Sequence, residues 1–301
     1  MGRVADVTAD DIVQAAVAVA DVARHTPVLP SATLSERCGG DVVLKAESLQ
    51  RTGAFKIRGA LNKLHALGDA CAPGVVCGSA GNHAQALALA ARERGVPCEV
   101  FMPEGASIAK LEASAALGAR VVIGGDSVDA CLVAALERAE EAGMAFVHPF
   151  DDPDVVAGQG TLGLELLEDL PDLATVVVPV GGGGLASGVA IAVKSARPDV
   201  RVVGVQVETV AAYPASLAAG HPIGVEAGLT IADGIAVKRP GELTLRLVDR
   251  WLDGIVTVSE DAVAEAMVLL MEKAKLVVEG AGAVGVAALL GGEVASAATG
   301  T

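Results

Sequence analysis

Apolar runs of four to eight residues alternate with helix-like amphipathic stretches along most of the chain. "GVVCGSAGNHAQALALAARERG" reads as strand, loop and helix, and "CEVFMPEGASIAKLEASAALGARVVIGG" as strand, loop, helix and strand. "SVDACLVAALERAEEAGMAFVHPF" is a helix with a charged face followed by a strand. "LATVVVPVGGGGLASGVAIAVKSARPDVRVVGVQV" is strand, glycine turn, helix and strand. "GIVTVSEDAVAEAM" repeats the order, with Ser259 as a helix cap followed by carboxylates. This alternation predicts βαβ units with right-handed crossovers and a doubly wound α/β architecture. The uncharged run 173–193 is long enough to span a membrane, but Pro179 and four consecutive glycines make it a buried strand, a turn and a buried helix. No Ser/Pro/Gly-rich linker divides the chain, so a second lobe is expected as an insertion, and "PFDDPDVVAGQG" marks the return crossing.

Composition narrows the picture. With 301 residues, two lobes are expected. Aromatics are only 2%, so Ala, Val, Leu and Gly must fill the core. A net charge of −15 argues against nucleic-acid and anionic-membrane partners, and an anionic ligand would need a local positive site. Five cysteines without CxxC spacing, and an N-terminus without an apolar signal region, predict a cytoplasmic protein without disulfides.

Three loops fall at predicted strand ends, where open α/β sheets bind ligands. In "VPVGGGGLASG", Gly181, Gly182, Gly183 and Gly184 strip a strand-to-helix turn of side chains, so its N–H groups can cradle a phosphate. In "SAGNHAQ", Ser79 and Asn82 are either a helix cap or a carboxylate-binding loop. In "TGAFKIRGA", Lys56 opens a helix after a phenylalanine; such a lysine is either solvated or, if buried, a nucleophile towards an aldehyde. Lysine, phosphate cradle and carboxylate loop are together what a pyridoxal phosphate enzyme requires. A nicotinamide dehydrogenase would explain the glycines but not Lys56 or the Asn82 loop.

Six collinear stretches carry a family resemblance: "LKAESLQRTGAFKIRGALNKL", "SAGNHAQALALAA", "HPFDDPDVVAGQGTLGLEL", "VPVGGGGLASG", "TIADGIAVKRPG" and "VVEGAGAVGVAALL". With "TPVLPSATLSE" before them they resemble the serine/threonine dehydratase and serine racemase family, fold type II pyridoxal phosphate enzymes akin to the tryptophan synthase β chain. The resemblance implies two doubly wound α/β domains with mostly parallel sheets. A large cofactor-binding domain would comprise 1–73 and 152–301, and a small inserted domain 74–151. It implies that Lys56 forms the Schiff base and removes the Cα proton, with Phe55 packed beside the cofactor. Asn82 would bond the ring hydroxyl, and Gly181 to Gly184 with Leu185 would hold the phosphate. Asp233, Gly234 and Glu279 would line the other side, and Ser79, Gly81 and His83 would receive the substrate carboxylate.

The activity implied is an L-threonine/L-serine dehydratase giving 2-oxobutyrate or pyruvate and ammonia. The alternatives are a serine racemase, a 3-hydroxyaspartate dehydratase, or a cofactor-binding relative with low turnover. Serine racemases carry a serine immediately before the Gly-Asn of the second loop; here Ala80 stands there, which favours the lyase. Ala54 stands where the lysine motif often has serine. The family's cation site maps to "VQVETVAAYPASL", where Glu208 fits as a ligand for a mono- or divalent cation, while Pro214 occupies the place of a second acidic ligand. The family's Ser-Gly-Gly-Asn-like strand, which faces the pyridine nitrogen, has no counterpart in "GGEVASAATGT", and Ser296 lies in a different context. No C-terminal regulatory domain follows, so feedback control by isoleucine is not expected. The implied partners are a small hydroxy amino acid and other copies of the chain, as a homodimer or homotetramer.

Overall fold

The computed structural model describes residues 6–294, so Ser296 lies outside the described residues. The chain begins with helix α1 (Ala9–Val19), capped by Thr8 and Asp11 in a reciprocal capping box. A short antiparallel ribbon follows, β1 (Val28–Pro30) with β2 (Val43–Lys45), joined through α2 (Ala32–Cys38). Helix α3 (Lys56–Leu67) leads into the first parallel sheet. There β3 (Val75–Gly78), α4 (Asn82–Arg94), β4 (Cys98–Met102), α5 (Ile108–Ala116), β5 (Arg120–Ile123), α6 (Val128–Ala142) and β6 (Ala145–Phe146) succeed one another. Helix α7 (Pro153–Asp169) crosses to the second sheet. That half holds β7 (Thr175–Pro179), α8 (Gly184–Ala196), β8 (Arg201–Val207), α9 (Ala212–Ala219), α10 (Glu242–Trp251), β9 (Gly254–Val258), α11 (Glu260–Leu269) and α12 (Gly280–Gly291).

The first sheet has the order β5-β4-β3-β6, all parallel. The chain moves outward from β3 and then returns to its other side, so the strand order reverses between β3 and β6. The crevice beyond the carboxyl ends of those two strands is where a ligand site is expected. Strands β3 and β4 are buried along their whole length, as near-continuous apolar strands covered on both faces should be. Ile57, Ala60 and Leu64 of α3 join Val75, Cys77, Leu87 and Val100 in one core, while Cys131, Ala135 and Ala139 of α6 pack with Val76 and Phe101. Helix α3 thus shares its core with the first sheet.

The second sheet is β7-β8-β9, again parallel. Val176, Val178 and Val202 pack on Ala186, Val189 and Val193 of α8. The alternate residues Val177, Val203 and Val205 pack on α12. Each such buried valine contributes about 1.5–3 kcal/mol through loss of apolar surface from water.

The segment read as a return crossing is a 17-residue helix, α7, with Asp152 as cap and Pro153 in its first turn. It carries Gly158 because it crosses α3 in backbone contact. A Cβ there would lie 2.5 Å from the Arg58 carbonyl and 2.6 Å from the Gly59 Cα. Gln159 beside it accepts the Gly59 N–H at 3.1 Å. Helix α3 is thereby pinned one turn beyond Lys56.

Candidate active site

Lys56 is the first residue of α3, and Phe55 before it makes no side-chain cap. Its Nζ donates to the Pro149 carbonyl at 2.7 Å, and lies 5.3 Å from the centre of the Phe55 ring. Burial lowers the ammonium's pKa to about 8, against an opposing pull from the Glu279 carboxylate. About a tenth of this amine is therefore unprotonated, and nucleophilic, at pH 7.

Around it opens a cavity of about 2210 Å³. Lys56, Phe55, Ser79, Gly81, Asn82, His83, Gly181 to Gly184, Leu185, Asp233, Gly234 and Glu279 all line it. Residues from five separate stretches of the chain thus meet in one cleft. Strands β2 and β7 line its far end. Glu208 does not join them. It is exposed at the end of β8, and among the described residues no three His, Cys, Asp or Glu side chains gather as a metal site.

The glycines follow the carboxyl end of β7. A Cβ on Gly182 would enter the Phe150 ring, one on Gly183 would strike the Tyr213 hydroxyl, and one on Gly181 would lie 2.9 Å from the Ile235 Cα. Gly183 has φ +88°, and no side chain caps α8 behind it. Close packing therefore requires these glycines, and the same bareness leaves backbone N–H groups at a helix start. A phosphate fits there, on the positive end of the helix dipole, in a protein otherwise acidic.

The loop after β3 is not a side-chain cap. Gly81 occupies the cap position of α4, and Ser79 Oγ accepts from Gly81 N–H at 3.2 Å. Asn82, the first helical residue, points across the cleft and donates to Glu279 Oε1 at 2.7 Å. Burial raises the Glu279 pKa, a rise the Asn82 bond opposes. Gly234 leaves room for that carboxyl, since a Cβ there would sit 3.0 Å from Glu279 Oε1. Lys110 of α5 makes a second link across the cleft, to Asp233 at 2.7 Å. His83 is 2% exposed, and its Nε2 sits 3.0 Å from the Val147 carbonyl. Burial, with a contribution from Lys56, lowers its pKa to about 3, so the ring is neutral.

Several residues around the site have no role assigned to them in the sequence. The turn 148–151 supplies Pro149 to Lys56 and Phe150 to the glycines. Tyr213, fully buried, donates to the Gly182 carbonyl at 3.0 Å. Arg58, 1% exposed, bonds Glu47 at 2.8 Å and Glu165 at 2.6 Å, tying α3 to α7 beside the lysine. Phe55 and Phe150, two of only four phenylalanines, both line the cavity, and that scarcity was a signal available in the composition.

A buried, nucleophilic lysine, an anion cradle and a polar loop facing one cleft at the ends of parallel strands define an enzyme site for an aldehyde-bearing phosphate cofactor. Residues 4–299 match the pyridoxal-phosphate dependent enzyme family, and the chain belongs to it, with the fold type II architecture. It is 51% identical over 285 residues to the L-threonine ammonia-lyase of Thermotoga maritima, covering 94% of this chain and 71% of that one. Maize serine racemase superposes with a TM-score of 0.94 at 36% identity, covering 98% of this chain and 90% of that one. The T.th. threonine deaminase superposes with a TM-score of 0.86 at 42% identity, covering 94% of this chain and 92% of that one.

Proposed function

We propose that the chain is a pyridoxal phosphate-dependent L-threonine/L-serine dehydratase. The observation that carries this reading is the meeting of Lys56, the glycine cradle and the Asn82 loop in one cleft. The similarity to the threonine ammonia-lyase and threonine deaminase supports it. Lys56 would hold the cofactor covalently through its aldehyde, Gly181 to Gly184 and Leu185 would hold its phosphate by backbone N–H groups, and Phe55, Asn82, Gly234 and Glu279 would line its ring. When bound, pyridoxal phosphate withdraws electron density from the substrate Cα, so that the Cα proton and the β-hydroxyl can both depart.

The chain's own residues then have separate tasks. Lys56 Nζ, once the substrate amine has displaced it from the aldehyde, would accept the Cα proton, its burial keeping the amine's pKa low. Ser79 and the N–H groups near Gly81, at the start of α4, orient the substrate carboxylate, with His83 fixing the loop from below through Val147. Glu279 and Asn82 hold each other across the cleft.

Ala80 lines the cavity in the same loop and has no group that can transfer a proton. The opposite face of a Cα carbanion therefore lacks a donor there, which favours elimination over racemisation. Incubation with L-threonine and L-serine tests the reading. 2-Oxobutyrate and pyruvate with equimolar ammonia support it, and D-serine as the main product from L-serine would replace it with the racemase.

The two parallel sheets fit a large unit of 1–73 and 152–301 and an inserted unit of 74–151, with α3 packing on both. Five free cysteines, four of them buried, favour a reducing, cytoplasmic setting. No helix among the described residues is long and apolar enough to cross a membrane. A homodimer or homotetramer is the proposed assembly, and Glu208 the proposed side-chain ligand should a cation bind.

A further inference from the structure

The segment between β6 and α7 folds around the ring of one histidine. His148 Nδ1 accepts two backbone hydrogen bonds, from Phe150 N–H at 3.2 Å and from Asp151 N–H at 2.7 Å. It therefore serves as the internal acceptor of its own turn, much as an Asn or Asp side chain does when it mimics a turn carbonyl. The Phe146 and Phe150 rings stand edge-on to the imidazole, with centroids 6.0 and 4.6 Å away.

Each residue of the turn then meets a different part of the site. The Pro149 carbonyl accepts from Lys56 Nζ at 2.7 Å. The Phe150 ring fills the space a Gly182 side chain would need, and its carbonyl lies 3.1 Å from where a Gly184 Cβ would stand. The Asp151 carboxylate accepts from Thr244 N–H at 2.9 Å and Glu242 N–H at 3.1 Å, capping the first turn of α10. Lysine, phosphate cradle and a helix of the second sheet are thus all referred to four consecutive residues whose geometry one ring nitrogen sets.

We propose that His148 is a positioning residue: through Nδ1 it holds the turn that covers the Lys56 amine and braces the glycine cradle. Its ring borders the cleft, and through Nδ1 it acts on the lysine and the cradle by way of Pro149 and Phe150. The inference rests on the reading of Lys56 as the cofactor-bearing lysine.

The neutral state of the ring fits this task. Burial lowers the His148 pKa, and Lys56 lowers it further, while Asp151 and Asp152 oppose the shift. A protonated ring would offer a donor to two donors. The charged or titratable neighbours of Lys56 itself are Glu279, His83 and His148.

The test is competitive acetylation of the full-length chain freed of cofactor. The pH dependence of Lys56 labelling is read by peptide mass spectrometry, with Lys194, at the end of α8 opposite the glycines and paired to Asp253, as internal reference. Acetylation reads the amine without pyridoxal phosphate. A Lys56 that fails to capture the cofactor would therefore refute the functional reading without deciding this one. In His148→Leu the turn loses its acceptor and water reaches the amine. The Lys56 midpoint should rise by about one pH unit, which is about tenfold less free amine below the midpoint, while Lys194 stays unchanged. His148→Asn keeps an acceptor the same number of bonds from Cα and should restore the wild-type profile, together with wild-type capture of pyridoxal phosphate. His148→Gln places the acceptor one carbon too far and should behave as the leucine variant does. If leucine prevents folding, the Asn/Gln pair carries the test alone. An unshifted Lys56 midpoint in a folded Leu or Gln variant, or an Asn variant no better than Gln, overturns the proposal.

Discussion

Replacing Gly183 by alanine separates packing in the glycine cradle from backbone strain. Gly183 and Gly220 both hold left-handed conformations, with φ +88° and +72°. An alanine Cβ at Gly220 meets nothing within 4 Å, whereas at Gly183 it strikes the hydroxyl of Tyr213 and comes within 3.1 Å of Thr244 Cβ. Gly220→Ala should therefore cost only the left-handed strain, about 1–2 kcal/mol. Gly183→Ala adds overpacking against a fully buried tyrosine and loss of the Tyr213 bond to Gly182, for a total of about 3–6 kcal/mol. Urea unfolding of both variants measures the difference, and a spectrophotometric titration with pyridoxal phosphate measures cofactor affinity. The cofactor's dissociation constant should rise at least about tenfold in Gly183→Ala, equivalent to about 1.4 kcal/mol, and stay unchanged in Gly220→Ala. Equal destabilisation of the two variants, or full cofactor affinity in Gly183→Ala, would refute the assignment of this turn as a tightly packed cradle.

Other consequences follow from the same geometry. Arg58→Ala removes the cation shared by Glu47 and Glu165, leaving Glu47 without it and Glu165 with Lys45 alone, and should cost about 3–5 kcal/mol of stability, measured by denaturant unfolding. Asn82→Ala removes the donor to Glu279 and should lower turnover severalfold while changing the unfolding free energy by no more than about 1.5 kcal/mol; unaltered turnover would remove Asn82 from the site. The rate of cofactor capture should climb as pH rises through about 8, because only the neutral Lys56 amine reacts, and a rate that stays flat across that pH would contradict the lowered pKa. Burial raises the Glu165 pKa, but bonds from Arg58 and Lys45 bring it below the ordinary carboxylate range. Its contribution to stability is thus present above about pH 4.3 and lost as pH falls through the folded value, so acid unfolding should begin at higher pH in Arg58→Ala.

Much of this was legible in the sequence. Strand-to-helix switches in apolar period located β3, β4, β7, β8 and β9. Gly181 to Gly184 stood out as a run of bare backbone, whereas Lys56 and Asn82, each ordinary at a helix start, gained their reading only in combination with it and from the family resemblance. Helix α7 was harder to read, since Gly158, Gly160 and Gly163 weaken a helical pattern and mean something only once α1, α3 and α8 press against them. The glycine run reads as a phosphate cradle in the sequence, and Phe150, Tyr213 and Ile235 demand the glycines for packing as well. The turn around His148 left no periodic trace, because its bonds run from a ring nitrogen to backbone N–H groups, and a lone histidine between two phenylalanines reads as core. Arg58 likewise resembles any helix-surface arginine until the fold brings Glu47 and Glu165 to it.

The most direct measurement is to load the full-length protein with pyridoxal phosphate, reduce it with borohydride and map the modified peptide. The account predicts a single phosphopyridoxyl group on Lys56, with loss of 2-oxo acid formation from threonine. A label on another lysine, with threonine turnover intact in Lys56→Ala, would contradict it.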